Sequence, residues 1–270
     1  MKALCSYFEV SRSGYYKSEQ KADEQSLQGE MVLMMVRDIR RRHPRMGSKK
    51  LYKWIKPDID KAGIKMGRDK FIELLRKEGL LVKRKRKYVY TTDSYHHFRV
   101  YKNLLKHRQL EKAHQGWVSD ITYIRTREEF MYLFLITDAF SRKIVGWHLS
   151  DSLKVEGALD ALKMAIRQCP KTEGLIHHSD RGIQYCCKGY TELLKNKKIK
   201  ISMTEENHCY ENAVAERVNG ILKQEYSLDD TFINDKVATK AVRESIASYN
   251  VERPHWSLGL ATPQQMHLAA

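Results

Sequence analysis

Residues 117–124, Trp-Val-Ser-Asp-Ile-Thr-Tyr-Ile, have the β-branched and aromatic make-up of a strand, and Asp120 stands in their midst. An ionised carboxylate buried in such a strand is costly unless something cationic meets it. Two further isolated acids invite the same question. Asp180 ends the short run Leu-Ile-His-His-Ser-Asp at a Ser-Asp-Arg-Gly turn, and Glu216 lies within residues 210–226, Tyr-Glu-Asn-Ala-Val-Ala-Glu-Arg-Val-Asn-Gly-Ile-Leu-Lys-Gln-Glu-Tyr. Read as a helix, that last stretch puts Asn212, Glu216, Asn219 and Lys223 along one stripe, with Val214, Val218, Ile221 and Leu222 largely on the other side. Each acid alone has an ordinary reading: a satisfied structural aspartate, a turn cap, a solvent-facing glutamate. Two strand carboxylates and one helix carboxylate that converge are the ligand set of a pair of hard divalent cations.

The pattern around them is mixed α/β. Residues 117–124 and the two halves of 131–150 read as three antiparallel strands, the last two joined by a turn at Phe140–Arg142. Helical spacing follows over 153–168, then a strand ending at Asp180, a helix over 187–198, a strand over 199–204, the helix of 210–226 and a last helix over 235–250. Residues 251–266 read as a loop.

The first part of the chain has another texture. Ser11 suits a helix N-cap. Apolar spacing predicts helices over 28–43, stopped by Pro44, over 47–56, broken by Pro57, and over 67–79, closed by Gly79. Three short helices with basic exteriors suit a helix-turn-helix unit, with a small solvated bundle as the bland alternative. Residues 1–110 hold 28 Lys and Arg against 12 Asp and Glu, the whole of the formal net charge of +16, whereas residues 111–270 hold 21 of each. Such an asymmetry points to a polyanion-binding portion joined to a charge-balanced body, with nucleic acid favoured over an anionic membrane. Lys83, Arg84, Lys85, Arg86 and Lys87 run into Tyr88 and Tyr90, a mix suited to phosphate contact and stacking. Domains are accordingly expected over 1–82, a basic and aromatic linker over 83–112, and a catalytic body over 113–270.

No run of the chain is long and apolar enough for a membrane span or a secretory signal. Five cysteines without CxxC spacing argue against a disulfide framework or zinc ribbon and suit a reducing, cytoplasmic setting. Cys186 and Cys187 beside His177 and His178 chelate poorly as adjacent ligands. His178 shares a face with Asp180 and is left open between a packed and a functional role. Asp138 precedes a turn and reads as structural, and Arg253-Pro254-His255 reads as a rigid loop that braces the last helix or contacts DNA.

The ordered motifs Val-Ser-Arg-Ser-Gly-Tyr-Tyr, Trp-Val-Ser-Asp-Ile-Thr-Tyr-Ile, Thr-Asp-Ala-Phe-Ser-Arg-Lys-Ile-Val-Gly-Trp, His-Ser-Asp-Arg-Gly-x-Gln-Tyr, Glu-Asn-Ala-Val-Ala-Glu with Lys223 seven residues on, and Tyr-Asn-x-x-Arg-Pro-His resemble the DDE transposases and integrases, and specifically the bacterial "insertion sequence three" family. The resemblance runs from about residue 4 to the C-terminus. It implies a ribonuclease-H-like fold, a mixed five-stranded sheet with flanking helices, preceded by a small all-α helix-turn-helix region. It implies Asp120, Asp180 and Glu216 as catalytic residues that bind two Mg²⁺ or Mn²⁺ ions about 4 Å apart, with Asn212, Asn219 and Lys223 facing DNA. Water attacks first to free a 3′-OH at the element's end, and that hydroxyl then attacks target DNA. The family also implies a homo-oligomer on DNA, action at the nucleoid, and an upstream-frame protein as a further partner. The chain departs from the family at Glu211, where Asp is usual, and at Met46, where an aromatic is common. A purely hydrolytic nuclease and a DNA-binding copy that does not cut are the rival readings.

Overall fold

The computed structural model describes residue 5 and residues 7–82, 98–106, 108–205 and 212–269. The chain divides into two compact units, Met1–Lys83 and Arg84–Ala270. Among the described residues no helix is long and apolar enough to cross a membrane.

Three long helices make up most of the described part of the first unit. α1, Arg12–Arg42, is capped by Ser11, whose Oγ accepts a hydrogen bond from the Gly14 amide at 2.9 Å. It begins well before the expected 28, because its first half has no apolar face to betray it. α2, Ser48–Lys61, runs through Pro57 instead of breaking there. The proline costs one backbone hydrogen bond, but Ile55 and Ile59, one turn apart, are both fully buried and hold the helix on either side of it. α3, Arg68–Lys77, closes as expected, with Gly79 at φ +66° and the Leu80 amide returning to the Leu75 carbonyl at 2.7 Å. Val32, Val36, Met46, Leu51, Ile55, Phe71 and Leu75 form its core, so Met46 fills the interior position without an aromatic ring.

The second unit is built on one sheet. β1 (Gly116–Thr126), β2 (Phe130–Asp138) and β3 (Ile144–Ser150) are antiparallel neighbours. β4 (Ile176–Ser179) and β5 (Lys200–Met203) join β1 in parallel, giving the order β3-β2-β1-β4-β5. This is the ribonuclease-H-like arrangement. A sixth strand, β6 (Thr231–Phe232), pairs in parallel with the end of β1; two residues leave no periodicity for a sequence to display. The β2–β3 turn needs a residue at positive φ, supplied by Arg142 at +64°.

Strand alternation divides β1 between two cores. Trp117 faces α4 (Val155–Gln168) and α6 (Lys188–Asn196), together with Phe134, Leu162, Tyr190 and Leu194. Ile124 points the other way, with Leu133 and Leu135, towards α7 (Ala213–Glu225) and α8 (Asp235–Val251). A short helix, α5 (Ile183–Cys186), follows β4. Of the segment expected as a linker, Leu105 and Leu110 pack against Val118, Ala139 and Ala215 of this unit. The C-terminal stretch expected as loop contains a 3₁₀ turn, Trp256–Leu258, and α9, Pro263–Leu268. α9 is started by a capping box between Thr262 and Gln265, with proline in its first turn.

Candidate active site

Asp120 lies half-buried on the β1 face that looks towards α7, opposite Leu135 in the antiparallel register. Its two oxygens are engaged by the protein. Oδ2 accepts a hydrogen bond from Asn219 Nδ2 at 2.6 Å, and Oδ1 accepts from the Ile121 amide at 2.9 Å. Burial pushes its carboxyl up to about 7, the negative charges of Asp180 and Glu216 push the same way, and the two hydrogen bonds oppose them. The other two acids of the sequence pattern thus both bear on Asp120 from separate elements.

The route by which they approach is set by the sheet. The parallel pairing of β1 and β4 puts Val118 beside His178. Asp120 and Asp180 each lie two residues further along, on the same face and at the same level of neighbouring chain segments. Asp180 sits just past the end of β4, where its Oδ1 accepts from the Gly182 amide at 3.0 Å. A Cβ on Gly182 would come within 3.0 Å of that same oxygen, so the glycine allows the tight turn. Arg181 fixes the loop through a 2.8 Å bond from Nε to the Thr204 carbonyl. Glu216 is exposed, in the first turn of α7, and its carboxyl is raised by partial burial.

Asn212 and Asn219 do not face outwards as expected. Both are buried where α7 packs against β1, whereas Glu216 of the same stripe stays exposed. Asn212 Nδ2 donates to the Ser119 carbonyl at 2.9 Å, one residue before Asp120, and Asn219 grips Asp120 itself. Their carboxamide oxygens are buried and have no hydrogen-bond partner among the described residues. Lys223, half-buried, holds its ammonium 4.7 Å above the Tyr123 ring. Burial lowers its pKa while Asp120 and Asp229 pull it up. Lys83, Arg84, Lys85, Arg86, Lys87 and Glu211 lie outside the described residues.

As the side chains stand, no group of three His, Cys, Asp or Glu among the described residues is gathered closely enough to hold an ion. Asp120 and Asp180 are turned to hydrogen-bond donors of the protein. The donor set nevertheless suits a hard cation: the neighbouring acids disfavour the charge on Asp120, and the amide of Asn219, whose oxygen has no partner among the described residues, lies against it. The two histidines of β4 point to opposite faces. His177 Nε2 lies 2.7 Å from Ser119 Oγ and 2.9 Å from the Tyr190 hydroxyl, and burial holds its pKa down to about 3. His178 Nδ1 lies 2.8 Å from Ser202 Oγ.

Asp138 is structural. Fully buried, it accepts from the His114 amide at 2.7 Å and from both the amide and hydroxyl of Ser141 at 2.8 Å. Arg253 braces α7. Its guanidinium is buried and donates twice to Glu225, at 2.9 and 2.8 Å.

Fold and site together define an enzyme core of the integrase type. The integrase core domain family matches residues 111–209 and, in a second form, residues 197–263, spans that contain all three carboxylates. The chain is 36% identical over 268 residues to the insertion element IS600 uncharacterized 31 kDa protein of Shigella sonnei, covering 96% of each. It is 30% identical over 271 residues to the transposase InsF for insertion sequence IS3A of Escherichia coli strain K12, covering 98% of this chain and 93% of that one. The chain belongs to the IS3 family of insertion-sequence transposases. Among solved structures it is similar to the HTLV-2 integrase catalytic core domain in complex with magnesium (19% identity, 58% of this chain and 97% of that one, TM-score 0.46). It is also similar to a simian T-cell lymphotropic virus intasome in complex with the PP2A regulatory subunit B56 gamma (16% identity, 83% and 71%, TM-score 0.49).

Proposed function

We propose that this transposase cleaves DNA at the ends of its insertion element and transfers the freed strand into target DNA, with Asp120, Asp180 and Glu216 as its catalytic carboxylates. The observation that supports the reading is electrostatic: Asp120, pushed up chiefly by burial, is pushed the same way by the charges of Asp180 and Glu216, residues far from it in the chain. These three side chains would hold two Mg²⁺ or Mn²⁺ ions, which supply Lewis acidity at phosphorus and lower the proton affinity of the attacking hydroxyl. The rest of the work belongs to the chain. Asn219 orients Asp120, and Asn212 fixes the β1 backbone beside it. Lys223 offers a partly desolvated ammonium to a phosphate near the scissile bond, and Tyr123 presents it. Lys83, Arg84, Lys85, Arg86 and Lys87 contact the DNA backbone, α3 enters a major groove, and the protein works as a homo-oligomer at the nucleoid. An upstream-frame product is a further partner.

The test is incubation of labelled element-end DNA with the full chain and Mg²⁺ or Mn²⁺. Strand-transfer product supports the proposal, hydrolysis alone supports a nuclease, and retarded but uncut DNA supports a binding protein. Glu216→Gln removes one ligand at little change in volume, so DNA binding persists and cleavage stops; retained cleavage ends the assignment.

A further inference from the structure

Strand alternation sends Tyr123, Arg125, Phe130 and Tyr132 to one face of the β1–β2 hairpin, opposite the face of Asp120 and Ile124. α4 packs on this face over Ile121, Tyr132 and Phe134. Beyond its reach, two rings and two cations form a ladder. Lys223 Nζ lies 4.7 Å above the Tyr123 ring, Tyr123 meets Phe130 edge-on at 5.7 Å, and the Arg125 guanidinium lies 5.3 Å over Phe130. Phe130 is 46% exposed, Arg125 is exposed and Tyr123 is half-buried. Among the described residues neither ring is a member of the two cores that sandwich the sheet.

The ladder connects with the carboxylates where the sheet is interrupted. β4 pairs with β1 up to Val118 and β6 pairs from Arg125 on, so among the described residues the stretch between has no strand on that side. Lys223 of α7 serves both faces here: its ammonium rests on Tyr123 and also feels the charge of Asp120. Tyr123 follows Asp120 by about 10 Å of strand. The acids of the hairpin are turned elsewhere, Glu128 and Glu129 lining a cleft with Met131, Asp151 and Asp235. Cross-strand packing accounts for two neighbouring rings. The cations at both ends and the link to Asp120 point to an anionic ligand that also offers flat faces, which is a nucleic-acid strand.

We propose that Tyr123, Phe130 and Arg125 form a stacking subsite for unpaired bases of the DNA strand whose phosphate lies at Asp120, with Lys223 as the joint between subsite and cutting centre. It rests on the reading of Asp120, Asp180 and Glu216 as that centre. The subsite makes the enzyme a reader of opened ends: bases released from pairing gain contacts that a closed duplex withholds.

Binding of the full chain to two element-end DNAs in chelator tests this, one fully paired and one with the terminal bases of one strand mismatched. The wild type is expected to bind the opened end at least about fivefold more tightly. Phe130→Ala should erase that preference and leave duplex affinity nearly unchanged, and Phe130→Trp should restore it. A fluorescent adenine analogue in the unpaired stretch should be quenched by the wild type and not by Phe130→Ala. Arg125→Ala, at an exposed position, should reduce the preference by itself, so the test stands even where Phe130→Ala fails to fold. Equal wild-type affinity for the two DNAs, a preference that survives Phe130→Ala or Arg125→Ala, or a parallel loss of duplex binding overturns the proposal. Every readout is free of metal and cleavage, so a failure here is told apart from a failure of the carboxylates in the Glu216→Gln test.

Discussion

Asn219 donates its amide to Asp120 at 2.6 Å, a side-chain bond that joins the α7 stripe to β1. The bond orients the carboxylate and favours its charged form against burial and two neighbouring acids. Asn219→Ala should therefore slow element-end cleavage by about ten- to a hundredfold and raise the Mn²⁺ concentration needed for half-maximal rate, with DNA binding intact. Asn219→Asp, which adds a like charge, should do worse. Cleavage titrated against Mn²⁺ measures both; equal titration curves for wild type and Asn219→Ala would remove Asn219 from the machinery.

The same carboxylate gives the metal-free protein a pH-dependent stability. The folded chain keeps the Asp120 proton up to about 7, whereas the unfolded chain releases it near 3.8. The native state thus binds the extra proton, and this contribution is present at low pH and lost as pH rises from about 4 to 7. Asp120→Asn should flatten that window and raise stability at pH 8 by up to about 4 kcal/mol. Thermal melts in chelator across this range test it. Mn²⁺ should raise the wild-type melting temperature at pH 8 and leave that of Asp120→Asn nearly unmoved.

What the sequence revealed and what it hid divide along physical lines. Asp120 was legible because it breaks an apolar strand, and α7 because its stripe is periodic. That Asn212 and Asn219 look inward was not, since periodicity says which residues share a face and not what that face meets. Pro57 misled because local backbone cost is visible in a sequence and the burial of Ile59 that outweighs it is not. Ser11 was legible as a cap, but the continuity of α1 from there to residue 28 was not, for want of an apolar face. α9 could have been found from Thr262, Pro263 and Gln265, which spell its capping box.

Close helix–strand approach explains two glycines and makes an opposed pair of outcomes. On β3, a Cβ at Gly146 would stand 2.3 Å from the Ala161 carbonyl oxygen, and on α4 one at Gly157 would stand 2.3 Å from the Phe134 ring. Gly157→Ala should destabilise by about 1–2 kcal/mol, although alanine is the better helix former by about 1 kcal/mol. Gly146→Ala should cost more, about 3 kcal/mol, because a backbone oxygen cannot step aside as a ring can. Gly220, inside α7 with nothing within 4 Å of a Cβ, should gain about 0.5–1 kcal/mol as alanine. Urea unfolding of the three variants would rank them, and a stabilising Gly146→Ala would refute the packing account.

Arg253 and Glu225 form a buried fork between the last residue of α7 and the segment after α8. Neighbouring bonds tie the same region to the sheet: the Tyr249 hydroxyl donates to the Arg142 carbonyl at 2.9 Å, and Asn250 holds both backbone groups of Ile144. Removing one member of such a pair strands the other's charge, so Arg253→Ala should cost on the order of 3–5 kcal/mol. Arg253→Lys keeps the charge but loses the two-pronged geometry and should cost less. Replacing both partners by apolar residues, Arg253→Met with Glu225→Leu, should recover much of the loss. A double variant as unstable as the sum of its singles would mean that the fork contributes through packing alone. Recovery of stability without recovery of cleavage would show that the fork also sets the pose of α7, and with it the reach of Glu216 towards Asp120.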